Sequence, residues 1–245
     1  MEQQQRPRPP HPPERLVAET IVHLLRHGEV FNPSGVLYGR LPDFHLSELG
    51  QAMAQRVADT IGDRDIVHLV ASPLERAQET AAPLAAATGL PIVSDDRVIE
   101  SENVFEGERL AGGAKVFRNP KYWRHLWNPI RPSWGEPYVE VADRMRRAVL
   151  AARKAAAGHE AVIVSHQLPI WIARLSAEGR SFVHDPRSRQ CTICSLTSFH
   201  FDEERLTNVS YSEPAGDLIP LADRKANFSS GGAPAEAPDT GPTAS

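Results

Sequence analysis

The stretch LLRHGEV, residues 24–30, closes an apolar run with a cation, an imidazole and a glycine in consecutive positions. Just upstream, TIVHLL (20–25) is apolar and β-branched, which predicts a strand. A strand ending on Arg26, His27 and Gly28 puts reactive side chains at its carboxyl end. In open parallel sheets that is where ligands bind. The rest of the chain shows whether matching chemistry arrives at the same edge.

The middle of the sequence alternates between strand and helix patterns. SELGQAMAQRVADTI (47–61) spaces Met53, Val57 and Ile61 four apart on one helical face, with Ser47 as N-cap and Gly50 weakening the first turn. DIVHLVAS (65–72) reads as a strand. The helix after it has Ser72 as predicted N-cap, Pro73 at the first position and Glu75 completing a capping box; Pro83 is expected to kink or interrupt it. PIV (91–93) is a short strand, and 138–158 a long amphipathic helix ending at Gly158. EAVIVSH (160–166) is a strand, QLPIWIARLS the helix after it, and CTICSLTSFHF with RLTNVSYS a closing hairpin. Alternation with continuous apolar strands predicts a three-layer α/β/α fold, its sheet mainly parallel and helices on both faces. Residues 107–137, rich in aromatic, basic and proline residues, read as a lid-like insertion; Trp123, Trp127 and Trp134 lie in it. Residues 1–18 and 226–245 are too poor in apolar side chains for a core and are expected to be disordered, which leaves one domain over 19–213.

Three of these strands end alike. The first stops at Arg26-His27-Gly28, the second leads into Ser72 and Arg76, and the fourth ends at Ser165-His166. Two arginines and two histidines beside helix N-termini form a pocket suited to a dianion, and the planar arginine fork matches phosphate oxygens. A zinc site in HLLRH (23–27) is not expected. On a strand, His23 and His27 stand about 13 Å apart, and the glutamate of an H-E-x-x-H motif is missing.

Composition narrows the rest. The 245 residues are 41% hydrophobic and 24% charged, with net charge −4 and a pI near 6.2, so nucleic acid and anionic membrane are not expected partners. No apolar run approaches a membrane span, and MEQQQRPRPPHPPERL lacks the core of a secretory signal; a cytoplasmic location is expected. Cys191 and Cys194 form a lone CxxC, read as two small residues of a half-buried strand rather than a redox or zinc motif.

LLRHGEVFN resembles the Arg-His-Gly motif of the histidine phosphatase superfamily, the phosphoglycerate mutase-like proteins. ASPLERAQETA is similar to its second motif, Ser-x-Leu-x-Arg-Ala-x-x-Thr, and VIVSHQLPI to the segment carrying its second histidine. LYGRLPDFHLSELGQAMA resembles the family's strand-to-helix connection, and the likeness spans about residues 20–212. It implies a phosphoglycerate mutase-like fold with His27 as nucleophile and Arg26, Arg76 and His166 as phosphate ligands. Asn32 would add a hydrogen bond. The acid segment RVIESENVFEG (97–107) offers Glu100 as general acid and base, with Glu102 as runner-up. This chain departs from the pattern at Val30, where the family has Ser or Thr. Asn32 comes one residue early, and the acid motif is one residue short and lacks its central glycine.

The expected function is metal-independent hydrolysis of a small phosphorylated metabolite through a phosphohistidine, with no cofactor. The alternatives are a cofactor-dependent phosphoglycerate mutase and a non-catalytic phospho-ligand-binding module. A homodimer is compatible with the sequence.

Overall fold

The computed structural model describes residues 18–108 and 135–220. The expected disordered ends over 1–17 and 226–245 lie outside the described residues, as do 109–134 of the insertion with its three tryptophans.

Six strands form one sheet in the order β3-β2-β4-β1-β5-β6. Strands β1 (Thr20–Arg26), β2 (Ile66–Ala71), β3 (Ile92–Ser94) and β4 (Glu160–Ser165) run parallel to their neighbours among the four. The hairpin β5 (Leu196–Asp202) and β6 (Arg205–Ser212) adds two antiparallel strands beside β1. Helices cover both faces. α1 (Glu48–Ile61) and α2 (Glu75–Thr88) pack with Leu25, Leu69, Val162 and Val164, whereas α3 (Tyr138–Ala155) and α4 (Gln167–Ala177) pack with Val22, Leu24, Val70 and Ile163. Adjacent residues of β1 thus serve opposite cores, the period-2 alternation of a strand buried on both sides.

The helix periodicity is realised in packing. Met53, Val57 and Ile61 are all buried, each stabilising the fold by about 1.5–3 kcal/mol. Ser47 caps α1 by accepting from Gly50 N at 3.0 Å. Gly50 does more than weaken a turn: a Cβ there would lie 2.1 Å from Glu29 O, so the glycine lets the loop after β1 touch α1. Gly28 faces the same contact from the other side, 2.7 Å from Gly50 O to its own would-be Cβ.

Three expectations are corrected. Ser72 is not the N-cap of α2; Leu74 holds that position without a side-chain bond, because the Ser72 hydroxyl is engaged by His166. Pro83 sits inside α2 and does not interrupt it. Cys191 and Cys194 precede β5 rather than lying in it. Both are buried, but Cys194 adopts φ +53°, a turn conformation that no strand accommodates. Packing also continues beyond residue 213, where Ala215 and Ile219 are buried against the α1/α2 face.

Candidate active site

Strand register brings the predicted residues together. β4 lies between β1 and β2, with Arg26 opposite Ser165 and Ala71 opposite Val164. The three chains leave the sheet side by side: His27 N donates to Ser165 O at 3.0 Å, and Ser72 N to Val164 O at 2.9 Å. Arg26, His27, Arg76 and His166 are all buried, and the two imidazole rings lie 5.2 Å apart, centroid to centroid.

The His27 tautomer follows from its partner. His27 Nδ1 is 2.7 Å from Gly28 O, and a carbonyl only accepts, so Nδ1 carries the proton and the Nε2 lone pair is free to act. Ser72 Oγ accepts from Leu74 N and lies 2.8 Å from His166 Nε2, so the hydroxyl engages that ring nitrogen. His166 Nδ1 is buried and has no hydrogen-bond partner among the described residues. Burial first, and then the positive field of Arg76, holds both histidines well below their usual range, His27 additionally feeling Arg26 and His166 additionally feeling His27 itself.

Arg76 donates through one terminal nitrogen to Gly39 O and lies with its guanidinium carbon 4.8 Å from the centre of the Tyr38 ring. Its Nε and other terminal nitrogen are buried without an acceptor among the described residues. Arg26 donates to Cys191 O at 2.6 Å. The site therefore gathers buried donors in excess of protein acceptors, an arrangement that an oxyanion completes.

The two acid candidates separate. Glu100 is half-buried, and burial raises its carboxyl above the ordinary range although the Ser101 N–H, Arg76 and Arg26 pull the other way. Glu102 is largely exposed and pairs with Arg40 at 2.8 Å. Asn32 is buried, but its amide closes on Val36, donating to the carbonyl at 2.9 Å and accepting from the N–H at 3.3 Å.

Four neighbours were given no place in the site by the sequence reading, although Ser72 and Thr80 open and close the Ser-x-Leu-x-Arg-Ala-x-x-Thr stretch. Tyr38 packs on Arg76 and meets His27 edge-on at 6.4 Å. Ser72 Oγ holds His166 Nε2 at 2.8 Å. Thr80 Oγ1 accepts from Gly28 N at 3.0 Å and donates to Arg76 O at 2.6 Å. Arg144 pairs with Glu136 and donates to the carbonyls of Arg97 and Ile99, both at 2.7 Å, fixing the turn that delivers Glu100. The sequence carried a signal for Arg144: it sits on the apolar stripe of α3, between Val141 and Ala148, where a charge is out of place unless it is used.

The model of the histidine phosphatase superfamily (branch 1) matches residues 22–214, the span that carries all of these groups. The chain belongs to that superfamily. An uncharacterised protein of Mycobacterium tuberculosis, Rv0525, is 56% identical over 197 residues, covering 80% of this chain and 98% of its own. The probable phosphoglycerate mutase GpmB of Yersinia enterocolitica is 30% identical, with 82% and 94% coverage. Among solved structures, the mycobacterial glucosyl-3-phosphoglycerate phosphatase Rv2419c superposes with a TM-score of 0.65 at 25% identity, covering 80% of this chain and 99% of that one. The predicted phosphoglycerate mutase-like α/β fold is the one observed. Among the described residues no helix is long and apolar enough to cross a membrane.

Proposed function

We propose that this histidine phosphatase hydrolyses a phosphate monoester of a small metabolite through a phosphohistidine on His27, without a metal ion. The observation that carries this reading is the buried, neutral His27, its Nδ1 proton fixed on Gly28 O and its ring beside the buried, unpartnered nitrogens of Arg76 and His166. Nε2 attacks phosphorus in line, forming the N–P bond as the P–O ester bond breaks. Arg26, Arg76 and His166 Nδ1–H hold the phosphoryl oxygens, with Asn32 adding the amide N–H that Val36 does not take. Glu100, whose carboxyl burial raises, gives its proton to the departing alkoxide. It then takes one from the water that attacks the phosphohistidine, releasing inorganic phosphate and restoring His27. Guanidinium groups supply the charge compensation that a metal would otherwise provide.

The phosphatase named among the structural neighbours supports hydrolysis. The likeness to GpmB keeps a mutase as the second reading. Product analysis with 3-phosphoglycerate separates the two: hydrolysis gives free phosphate and glycerate, mutase activity gives the 2-phospho isomer. EDTA is expected to leave turnover unchanged, and strong inhibition by EDTA would refute the metal-free scheme.

A further inference from the structure

Glu100 sits on irregular chain, between a short 3-10 turn (Asp96–Val98) and an isolated bridge from Asn103 to Gly135. No helix or strand ladder fixes it, and side chains hold it instead. Arg144 takes the carbonyls of Arg97 and Ile99 on one side. On the other, Arg40 Nε donates to the carbonyl of Glu100 itself at 2.6 Å. Glu136 joins the two arginines. Its Oε1 accepts from Arg144 Nε at 2.7 Å, and its Oε2 accepts from Arg144 Nη2 at 3.0 Å and from Arg40 Nη2 at 3.1 Å. One carboxylate thus locks two guanidinium planes, and the planes grip three carbonyls at or just before Glu100. The Arg144 and Glu136 side chains are only 11% and 13% exposed, so solvent screens their pair little.

Arg40 also relates the acid to the phosphoryl pocket. The carbonyl before it, Gly39 O, accepts from Arg76, and Arg40 N donates to Glu106 Oε1 at 3.1 Å. The dipeptide Gly39-Arg40 therefore reaches a phosphoryl ligand with its backbone and the peptide of Glu100 with its side chain.

We propose that Arg40 and Glu136 are positioning residues for Glu100: with Arg144 they form a clamp that sets the acid's distance from the phosphoryl group held by Arg76. Both act through the Glu100 backbone rather than on the substrate. This inference rests on the phosphatase reading for the acid's role, but the placement of Glu100 is also tested without turnover.

Phenyl phosphate and p-nitrophenyl phosphate are matched in shape and differ in the leaving oxygen. The p-nitrophenolate departs readily without a proton, whereas phenolate gains more from an acid. In Arg40→Met, kcat/KM for phenyl phosphate should fall about tenfold to a hundredfold, and that for p-nitrophenyl phosphate by less than about threefold. In a Glu100→Gln background the same substitution should cost no further activity on phenyl phosphate, because the group it positions is gone. Equal losses on the two esters, or a loss in the E100Q background as large as in the unmodified chain, overturns the assignment. Should R40M fail to fold, Glu136→Gln carries the same comparison, with the same outcomes.

Hydrogen exchange reads the placement directly. Ser101 N donates to Glu100 Oε1 at 2.8 Å, so its exchange rate reports where that carboxyl sits. In R40M the Ser101 amide should exchange at least about tenfold faster while the amides of β1 and β4 keep their rates. An unchanged Ser101 rate overturns the assignment. A chain that hydrolyses neither ester yet loses Ser101 protection in R40M refutes the phosphatase reading and leaves the clamp supported.

Discussion

His27 and Gly28 are bonded to each other across a single peptide unit, ring Nδ1 to the following carbonyl at 2.7 Å. The aim of the His27 ring therefore depends on what holds Gly28, and the Gly28 N–H is held by Thr80 Oγ1 on α2. One hydroxyl links the peptide after His27 to the helix that carries Arg76.

Thr80→Val tests that link. Valine keeps the shape but leaves the buried Gly28 N–H unpaired, costing about 1–3 kcal/mol of stability in thermal or urea unfolding. Phosphatase kcat should fall roughly tenfold to a hundredfold as the imidazole loses its alignment. Thr80→Ser, which keeps the acceptor, should recover most of the rate; failure to do so would assign the loss to packing.

The pH profile follows from two opposed shifts. Burial and the Arg76 and Arg26 charges lower the His27 pKa, so the neutral imidazole persists well below the ordinary histidine range. Burial raises Glu100, so its acid form survives above the ordinary carboxylate range. The log of kcat/KM should rise with pH as His27 loses its proton and fall as Glu100 loses its own, giving an optimum on the acid side of neutrality. In Glu100→Gln the falling limb should vanish along with most of the rate. A falling limb that persists in E100Q would move the acid role elsewhere.

Away from the site, Glu160 carries the clearest link between pH and stability. Its burial opposes ionisation, yet hydrogen bonds from His23 and Arg64 hold its pKa down at about 2. A depressed carboxylate contributes stability that is complete above its unfolded pKa, near 4.5, and is lost as pH falls toward 2. Glu160→Gln should lower stability by about 1–2 kcal/mol at pH 7, discounted for the exposed side of the Arg64 pair. The difference between the two proteins should shrink steadily below pH 4.5 in acid unfolding curves. A constant difference would contradict the assignment.

Gly50→Ala probes the contact between the β1 loop and α1. The added Cβ has no room beside Glu29 O, so backbone must move, at about 1–3 kcal/mol and on the order of 5 °C in Tm. Because Gly28 shares the contact, kcat should fall as well, whereas an alanine in an ordinary helical turn would raise stability.

Much of this architecture was legible because strand and helix periods differ and because the parallel core strands are apolar throughout. LLRH, ASPLER and VIVSH each mark a strand end, so the cluster of Arg26, His27, Arg76 and His166 followed from topology before any contact was known. What sequence missed depends on long-range geometry. Ser72 satisfies every local rule for an N-cap, but a histidine 94 residues away claims its hydroxyl. The CTIC segment looks β-like, but its place is set by the carbonyl that Arg26 needs. Gly50 looked like a flaw in a helix until the loop that crosses it came into view.

The central claim is a covalent phosphoryl group on His27 Nε2. Incubation with a 32P-labelled phosphomonoester, alkaline quench within the first turnover and peptide mapping test it directly. The predicted result is acid-labile label on His27, attached at Nε2 and lost on chase with unlabelled substrate at the rate of turnover. Turnover with no label on His27, or with the phosphoryl group on another residue, would contradict it.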